Sequence, residues 1–434
     1  MSISSIPAAP RMMQHDYEAF DALFALISAI GVTPTGGLHR LAASADDGAV
    51  RDAFCHWLGS EGFQVQIDEI GNVFGLLELS PGAPWLLCGS HLDSQPDGGR
   101  FDGAYGVTAA AVTLASLARQ LRQQPAAARR NLAVVNWTNE EGARFQPSLI
   151  GSAVFTGALP LATALACRDA QGITLGEALA TIGYRGTALP SLPLAAYVEL
   201  HIEQGPHLEQ QQQQIGVVTE TWAALKWQVT FRGEQNHTGP SLMSSRRDAL
   251  LAAAKTIVAV RAEADTQGEV LHTSVGRLET QPNSPNVVTR EATLFIEFRS
   301  ADEALLKTTG ERFARLLQTI AQDTATDVSL VSSQFRPRQQ LHAGLVQRAL
   351  AQAGHLELAA MPMRTVAGHD AISLSYHCPS CLLFVPSHQG LSHNEREFTA
   401  PDDLHRGLDL LLALLADLSL HPVGELSLAE AKKC

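Results

Sequence analysis

The 434-residue chain has no run of about 18 consecutive apolar residues, and its sequence therefore offers no helical membrane span. Its opening stretch, MSISSIPAAPRMMQHDYEAF, has no cationic segment followed by an apolar core, so no secretory leader is expected. Basic runs are also missing. The 31 Lys and Arg stand against 44 Asp and Glu, a net charge of -13, which disfavours nucleic acid and anionic membranes as partners. The six cysteines, at 55, 88, 167, 378, 381 and 434, have neither the density nor the spacing of a disulfide framework. They are read as reduced thiols, and Cys378-Pro-Ser-Cys381 as two half-buried thiols beside a strand. These absences together point to a cytoplasmic protein with a small-molecule ligand.

What is present is ample material for cores: 45% of residues are hydrophobic and 17% charged, enough at this length for two globular domains. Four short apolar runs end in residues capable of chemistry. Trp85-Leu-Leu-Cys precedes His91, Leu132-Ala-Val-Val precedes Glu140 and Glu141, Ala195-Ala-Tyr-Val precedes His201, and Cys381-Leu-Leu-Phe-Val precedes Ser392 and His393. Helix-like stretches separate them, above all 104–121. Such alternation predicts an α/β fold, a mixed and largely parallel sheet covered by helices on both faces. Ligands then bind beyond the carboxyl ends of the strands.

Residues 215–336 read differently. Strand, helix, strand, strand, helix and strand follow one another through KWQVTFRGE, SRRDALLAAAKTIVAVRAEAD, VLHTSVGRLET, NVVTREATLFIEFRS, DEALLKTTGERFARLLQTIAQDT and DVSLVSSQF. This is the order of a ferredoxin-like α+β unit, inserted into a discontinuous first domain of residues 1–214 and 337–434. The glutamine run 210–214 is a hinge or helix end. Trp222 and Trp227 are expected to pack between strands of the insert.

The chemistry starts in CGSHLDSQPDGGRFDGAYGV. His91 and Asp93, two apart on an extended segment, point the same way, and the carboxylate can fix the imidazole tautomer. Asp102 follows among glycines that permit a sharp turn, whereas Asp97 suits a plain turn. Glu140 and Glu141 are costly to hold together unless a cation lies nearby. One can then bind metal while the other takes a proton from the attacking water. His201 and His393 complete three imidazoles and two carboxylates, each at a predicted strand end. With Asp102 shared, each of two cations receives three protein ligands.

The strings GSHLDSQPDGGRFDGAYGV, NEEGARF, ELHIEQGP, NHTGP with RRDAL, PNVV, AGHDA and GLSHNERE, in this order over nearly the whole chain, resemble the hydantoinase/carbamoylase amidase branch of the M20 metallopeptidase family. That branch includes N-carbamoyl-L-amino acid hydrolases, allantoate amidohydrolases and β-ureidopropionases. The resemblance implies one metal site of His91, Asp102 and His201 and another of Asp102, Glu141 and His393. It implies Glu140 as general base, Asp93 as the carboxylate behind the first histidine, and His237 as a group that polarises the scissile carbonyl. Gln204, Asn286, Arg299 and His369 match substrate contacts, with Asn286 and Arg299 gripping a carboxylate. Relatives commonly carry His-Ala-Gly and then Thr-Pro-Met around the histidine that here stands in NHTGPSLM, a departure that touches the substrate pocket.

The activity so implied is hydrolysis of the ureido C–N bond of a small carboxylate such as an N-carbamoyl-L-amino acid, releasing ammonia and carbon dioxide. Allantoate hydrolysis is the alternative, and an aminoacylase or dipeptidase of the same family a more remote one. Two divalent cations are expected, zinc first among Zn, Mn, Co and Ni, all of which these ligands suit. The resemblance further implies a homodimer formed through the inserted domain, which also acts as a lid.

Overall fold

The computed structural model describes residues 10–123, 129–188 and 192–423; Cys434 lies outside them. The chain divides into two compact units, 1–219 with 340–434, and 220–339. Along the first unit run β1 (Gln64–Ile67), β2 (Val73–Leu77), β3 (Trp85–His91), β4 (Asn131–Trp137), β5 (Leu194–Ile202) and β6 (Ile215–Thr221). The second holds β7 (Ala223–Arg232), β8 (Asn236–His237), β9 (His272–Gln281), β10 (Val287–Val288), β11 (Glu291–Ser300) and β12 (Asp327–Arg336). The chain then returns through β13 (Ala360–Thr365) and β14 (Ser380–Val385).

The first unit is built on an eight-stranded sheet in the order β1-β2-β4-β3-β5-β14-β6-β13. Its centre is parallel, β3 pairing with β4 and β5, and β5 with β14. β2 runs antiparallel to β4, and β6 to β14. Side chains alternate between two cores. Leu86, Cys88, Leu132, Val134, Ala196, Val198, Leu383 and Val385 join one cluster, and Leu87, Ala133, Val135, Trp137, Tyr197, Leu382 and Phe384 the other. The helix Ala104–Arg122 is buried along nearly its whole length, as its Ala- and Val-rich sequence requires.

From β3 the chain moves to β4 on one side and later to β5 on the other, so its direction across the sheet reverses around β3. A crevice opens at such a reversal, beyond the carboxyl ends of the strands. His91 ends β3 opposite Trp137, and His201 sits on β5 opposite Phe384. Both histidines have the parity of the second core's residues and therefore face the same side.

The second unit is a four-stranded antiparallel sheet, β12-β7-β11-β9, with helices Ala249–Gln267 and Glu303–Asp323. Its element order is the ferredoxin-like one, with a two-stranded β8–β10 ladder added. Trp227 is buried in its core edge-on to Phe298. Trp222 lies against the His272 ring. The expected start of the insert at residue 215 needs correction. Residues 215–219 open β6, whose Gly216 and Val217 pair with β14 in the large sheet. An apolar run such as Ile-Gly-Val-Val reads the same whichever sheet accepts it.

Beneath the loop after β4 lies a fully buried ion pair. Arg51 Nε donates to Asp47 at 2.9 Å, its Nη1 to the Gly71 carbonyl at 2.6 Å, and its Nη2 to the Thr138 hydroxyl at 3.4 Å. Arg51→Ala leaves Asp47 buried without its partner and is expected to cost about 3–5 kcal/mol, seen as a fall in the urea midpoint. Cys55, Cys88, Cys167, Cys378 and Cys381 are free thiols. Among the described residues no helix is long and apolar enough to cross a membrane.

Candidate metal centre

His91 is held by its own segment. Its Nδ1 lies 2.9 Å from the Asp93 backbone carbonyl. That contact fixes the ring and leaves Nε2 facing Asp102 Oδ1 at 3.6 Å and Glu140 Oε2 at 3.7 Å. His201 repeats the device, with Nδ1 2.9 Å from the Ile202 carbonyl and Nε2 3.1 Å from Asp102 Oδ1. The sequence reading of Asp93 changes here. Its carboxylate stays 3.8 Å from His91 Nδ1, and accepts instead from the backbone amides of Glu140 at 3.2 Å and Glu141 at 3.3 Å. Asp93 thus orients His91 through its carbonyl and anchors the glutamate pair through its carboxylate, since the backbone after β3 turns and no longer presents both side chains to one point.

Asp102 reaches this place because Gly103, at φ +64°, turns the chain over the His91 ring. A Cβ there would lie 2.4 Å from that ring. The other carboxylate oxygen, Oδ2, faces His393 Nε2 at 3.0 Å, and His393 in turn stands 3.4 Å from Glu141 Oε2. Gln95 donates to both Glu141 oxygens, from its backbone at 3.1 Å and its side chain at 2.9 Å. Gln204 donates to Asp102 Oδ2 at 2.9 Å. Two donor groups result, His91–Asp102–His201 and Asp102–Glu141–His393, the candidate ligand atoms of each lying within 4.8 Å of one another.

The electrostatics fit cations. Burial, followed by Asp102 repulsion, pushes the Glu141 carboxyl up to about 7, and burial holds Glu140 well above the ordinary carboxylate range. Burial would also raise Asp102, yet hydrogen bonds from His201, His393 and His91 hold it well below. Burial opposes protonation of His393, but Asp102 and Glu141 outweigh it and push the imidazole up to about 9. Carboxylates and imidazoles here all favour an added positive charge. With Nδ1 of His91 and His201 each engaged by a backbone carbonyl, Nε2 is the nitrogen left to hold a metal, and the donor set suits divalent metal.

The remaining predicted residues divide between the units. His369, buried, packs edge-on to His201 with ring centroids 4.6 Å apart. His237 lies on the β8–β10 ladder, paired with Val287, and the backbone carbonyl of Asn286, just before β10, accepts from the Thr238 amide at 3.3 Å. Arg299 on β11 bonds Glu297 at 2.9 Å. Glu203, beside the motif histidine, caps the helix His207–Gln210 by accepting from His207 and Leu208. Sequence reasoning missed Glu397 and Gln95, which carry no metal-ligand spacing of their own. Glu397 ends the GLSHNERE string and is buried in this structure.

The model of peptidase family M20/M25/M40 matches residues 87–417. The chain belongs to this family. An N-carbamoyl-L-amino acid amidohydrolase of Geobacillus stearothermophilus is 33% identical to this M20 protein, the match covering 88% of this chain and 93% of the relative. An allantoate amidohydrolase of Escherichia coli K12 is 31% identical over 94% and 99% of the two chains. The crystal structure of a hydantoinase/carbamoylase family amidase from Burkholderia vietnamiensis superposes with a TM-score of 0.89 at 35% identity, covering 94% of this chain and 98% of that one. Within the M20 family the protein is thus of the hydantoinase/carbamoylase amidase type, a hydrolase acting on amide C–N bonds.

Proposed function

We propose that this amidase binds two divalent cations and hydrolyses the ureido C–N bond of a small carboxylate, an N-carbamoyl-L-amino acid being the preferred substrate. The observation that carries the reading is Asp102, whose two oxygens face two different donor groups. His91, Asp102 and His201 would hold one ion, and Asp102, Glu141 and His393 the other, with zinc the first choice. When bound, such ions lower the pKa of water and polarise a carbonyl oxygen.

The chain's own groups do the rest. Glu140, raised by burial and fixed through its backbone to Asp93, takes the proton of the attacking water and returns it to the leaving nitrogen. His237 donates to the carbonyl oxygen as charge develops there. Arg299 and Asn286 are assigned to grip the substrate carboxylate, and Gln204 and His369 to contact the substrate. An N-carbamoyl amino acid then yields the free amino acid, ammonia and carbon dioxide, because the carbamate decomposes. The relatives' names favour the ureido class, and allantoate is the second reading because one relative is an allantoate amidohydrolase.

Ammonia release measured across N-carbamoyl amino acids, allantoate and ureidopropionate, with N-acetyl and dipeptide forms as controls, tests the assignment. Activity on the carbamoyl series should vanish with chelator and return with zinc or manganese. Turnover confined to the N-acetyl or dipeptide forms would overturn it. We also propose a homodimer through the second unit, supported by the exposed Leu250, Leu251, Ile257 and Val258 on its helix Ala249–Gln267. Sedimentation equilibrium should return twice the chain mass.

A further inference from the structure

We infer that Glu397 is the positioning residue that preforms the Asp102–Glu141–His393 donor group, an inference that rests on the metal-centre reading above. Its buried carboxylate joins two segments almost 300 residues apart. Oε1 accepts from the backbone amides of Phe101 at 3.0 Å and Asp102 at 3.1 Å. Oε2 accepts from the hydroxyl of Ser392, the neighbour of His393, at 2.6 Å. Ser392 Oγ in turn accepts from Gln204 Nε2 at 3.1 Å, and the same Gln204 nitrogen donates to Asp102 Oδ2 at 2.9 Å.

These bonds close a ring from Glu397 through Asp102, Gln204 and Ser392 and back to Glu397. The ring sets the separation of the Asp102 carboxylate and the His393 imidazole, which face each other at 3.0 Å. His393 needs such support. It sits in a loop outside the regular strands at φ +51°, a backbone region that side chains disfavour, and it is half exposed. His91 and His201, by contrast, are buried within strands. Space for the carboxylate comes from Gly99, where a Cβ would fall 2.1 Å from Glu397 Oε1. Groups that orient metal ligands in this way typically alter metal affinity by about 10–100-fold when removed.

The two halves of the clamp can be broken separately. Glu397→Gln keeps an acceptor for the two amides but presents a donor where Ser392 requires an acceptor. Ser392→Ala removes the same bond from the other side. In a zinc titration of metal-free full-length protein against a chromophoric chelator, the wild type should take up two ions. Each variant should keep one ion at wild-type affinity and bind the other about 10–100-fold more weakly, and the double variant should be no weaker than either single one. The turnover number should fall and recover with excess zinc. Equal weakening of both ions, or wild-type affinity for both in the two variants, would overturn the inference. A wild type that takes up no zinc would instead overturn the metal-centre reading. Glu397→Ala frees Ser392 and both amides and should weaken the same ion further, while the two conservative variants keep the test valid if it does not fold.

Discussion

Glu140→Gln is expected to lower the turnover number by about 10²–10⁴-fold, the usual contribution of a positioned general acid or base, with the metal content of the wild type. The amide keeps the shape of the side chain and cannot accept the proton. The position supports this division of roles. Glu140 Oε2 is 3.7 Å from His91 Nε2, close to the first donor group, yet Glu140 belongs to neither of the two groups whose ligand atoms cluster. Metal analysis beside steady-state kinetics checks both halves. Undiminished turnover would remove the general-base assignment, and loss of an ion would make Glu140 a ligand.

Asp102→Asn should have the larger effect, abolishing tight binding of both ions and with it all measurable turnover. His393→Ala should remove one ion only. The difference follows from the carboxylate, which serves three imidazoles. Oδ1 lies 3.6 Å from His91 and 3.1 Å from His201, and Oδ2 3.0 Å from His393. An amide offers one oxygen in place of two and carries no charge to offset two cations. Zinc at 1,000 times its dissociation constant stabilises a folded site by about 4 kcal/mol. The rise in melting temperature on zinc addition should therefore be lost in Asp102→Asn and reduced in His393→Ala. An unchanged rise in Asp102→Asn would exclude a shared aspartate.

Much of this architecture is legible in the residues themselves. The apolar runs that become β3, β4, β5 and β14 each end in a polar cluster, and strands buried on both faces cannot be written otherwise. Helices Ala343–His355 and Pro401–Leu420 bury Leu, Val and Ala at helical spacing, a pattern readable in their sequences. The short edge strands β1 and β13 give no comparable signal, because they border the sheet and carry partly exposed, mixed side chains. The CxxC cysteines, expected to be half-buried, are buried instead, because Cys381 lies inside β14.

What the sequence by itself determined is which side chains are available and at which strand ends. Those properties follow from local pattern, period-two burial and the glycines that allow a turn at Asp102. Strand order came only with the tertiary structure, and with it the pairing of β3 with β5 that brings the His91 and His201 rings together. So did the transfer of residues 215–219 to the large sheet, the part Asp93 plays through its carbonyl, and the reach of Glu397 to the Asp102 turn. Apart from the local Asp93 carbonyl contact with His91, each of these depends on contacts between segments tens to hundreds of residues apart. Such contacts are selected by how whole elements pack, and nothing in the neighbouring residues encodes them.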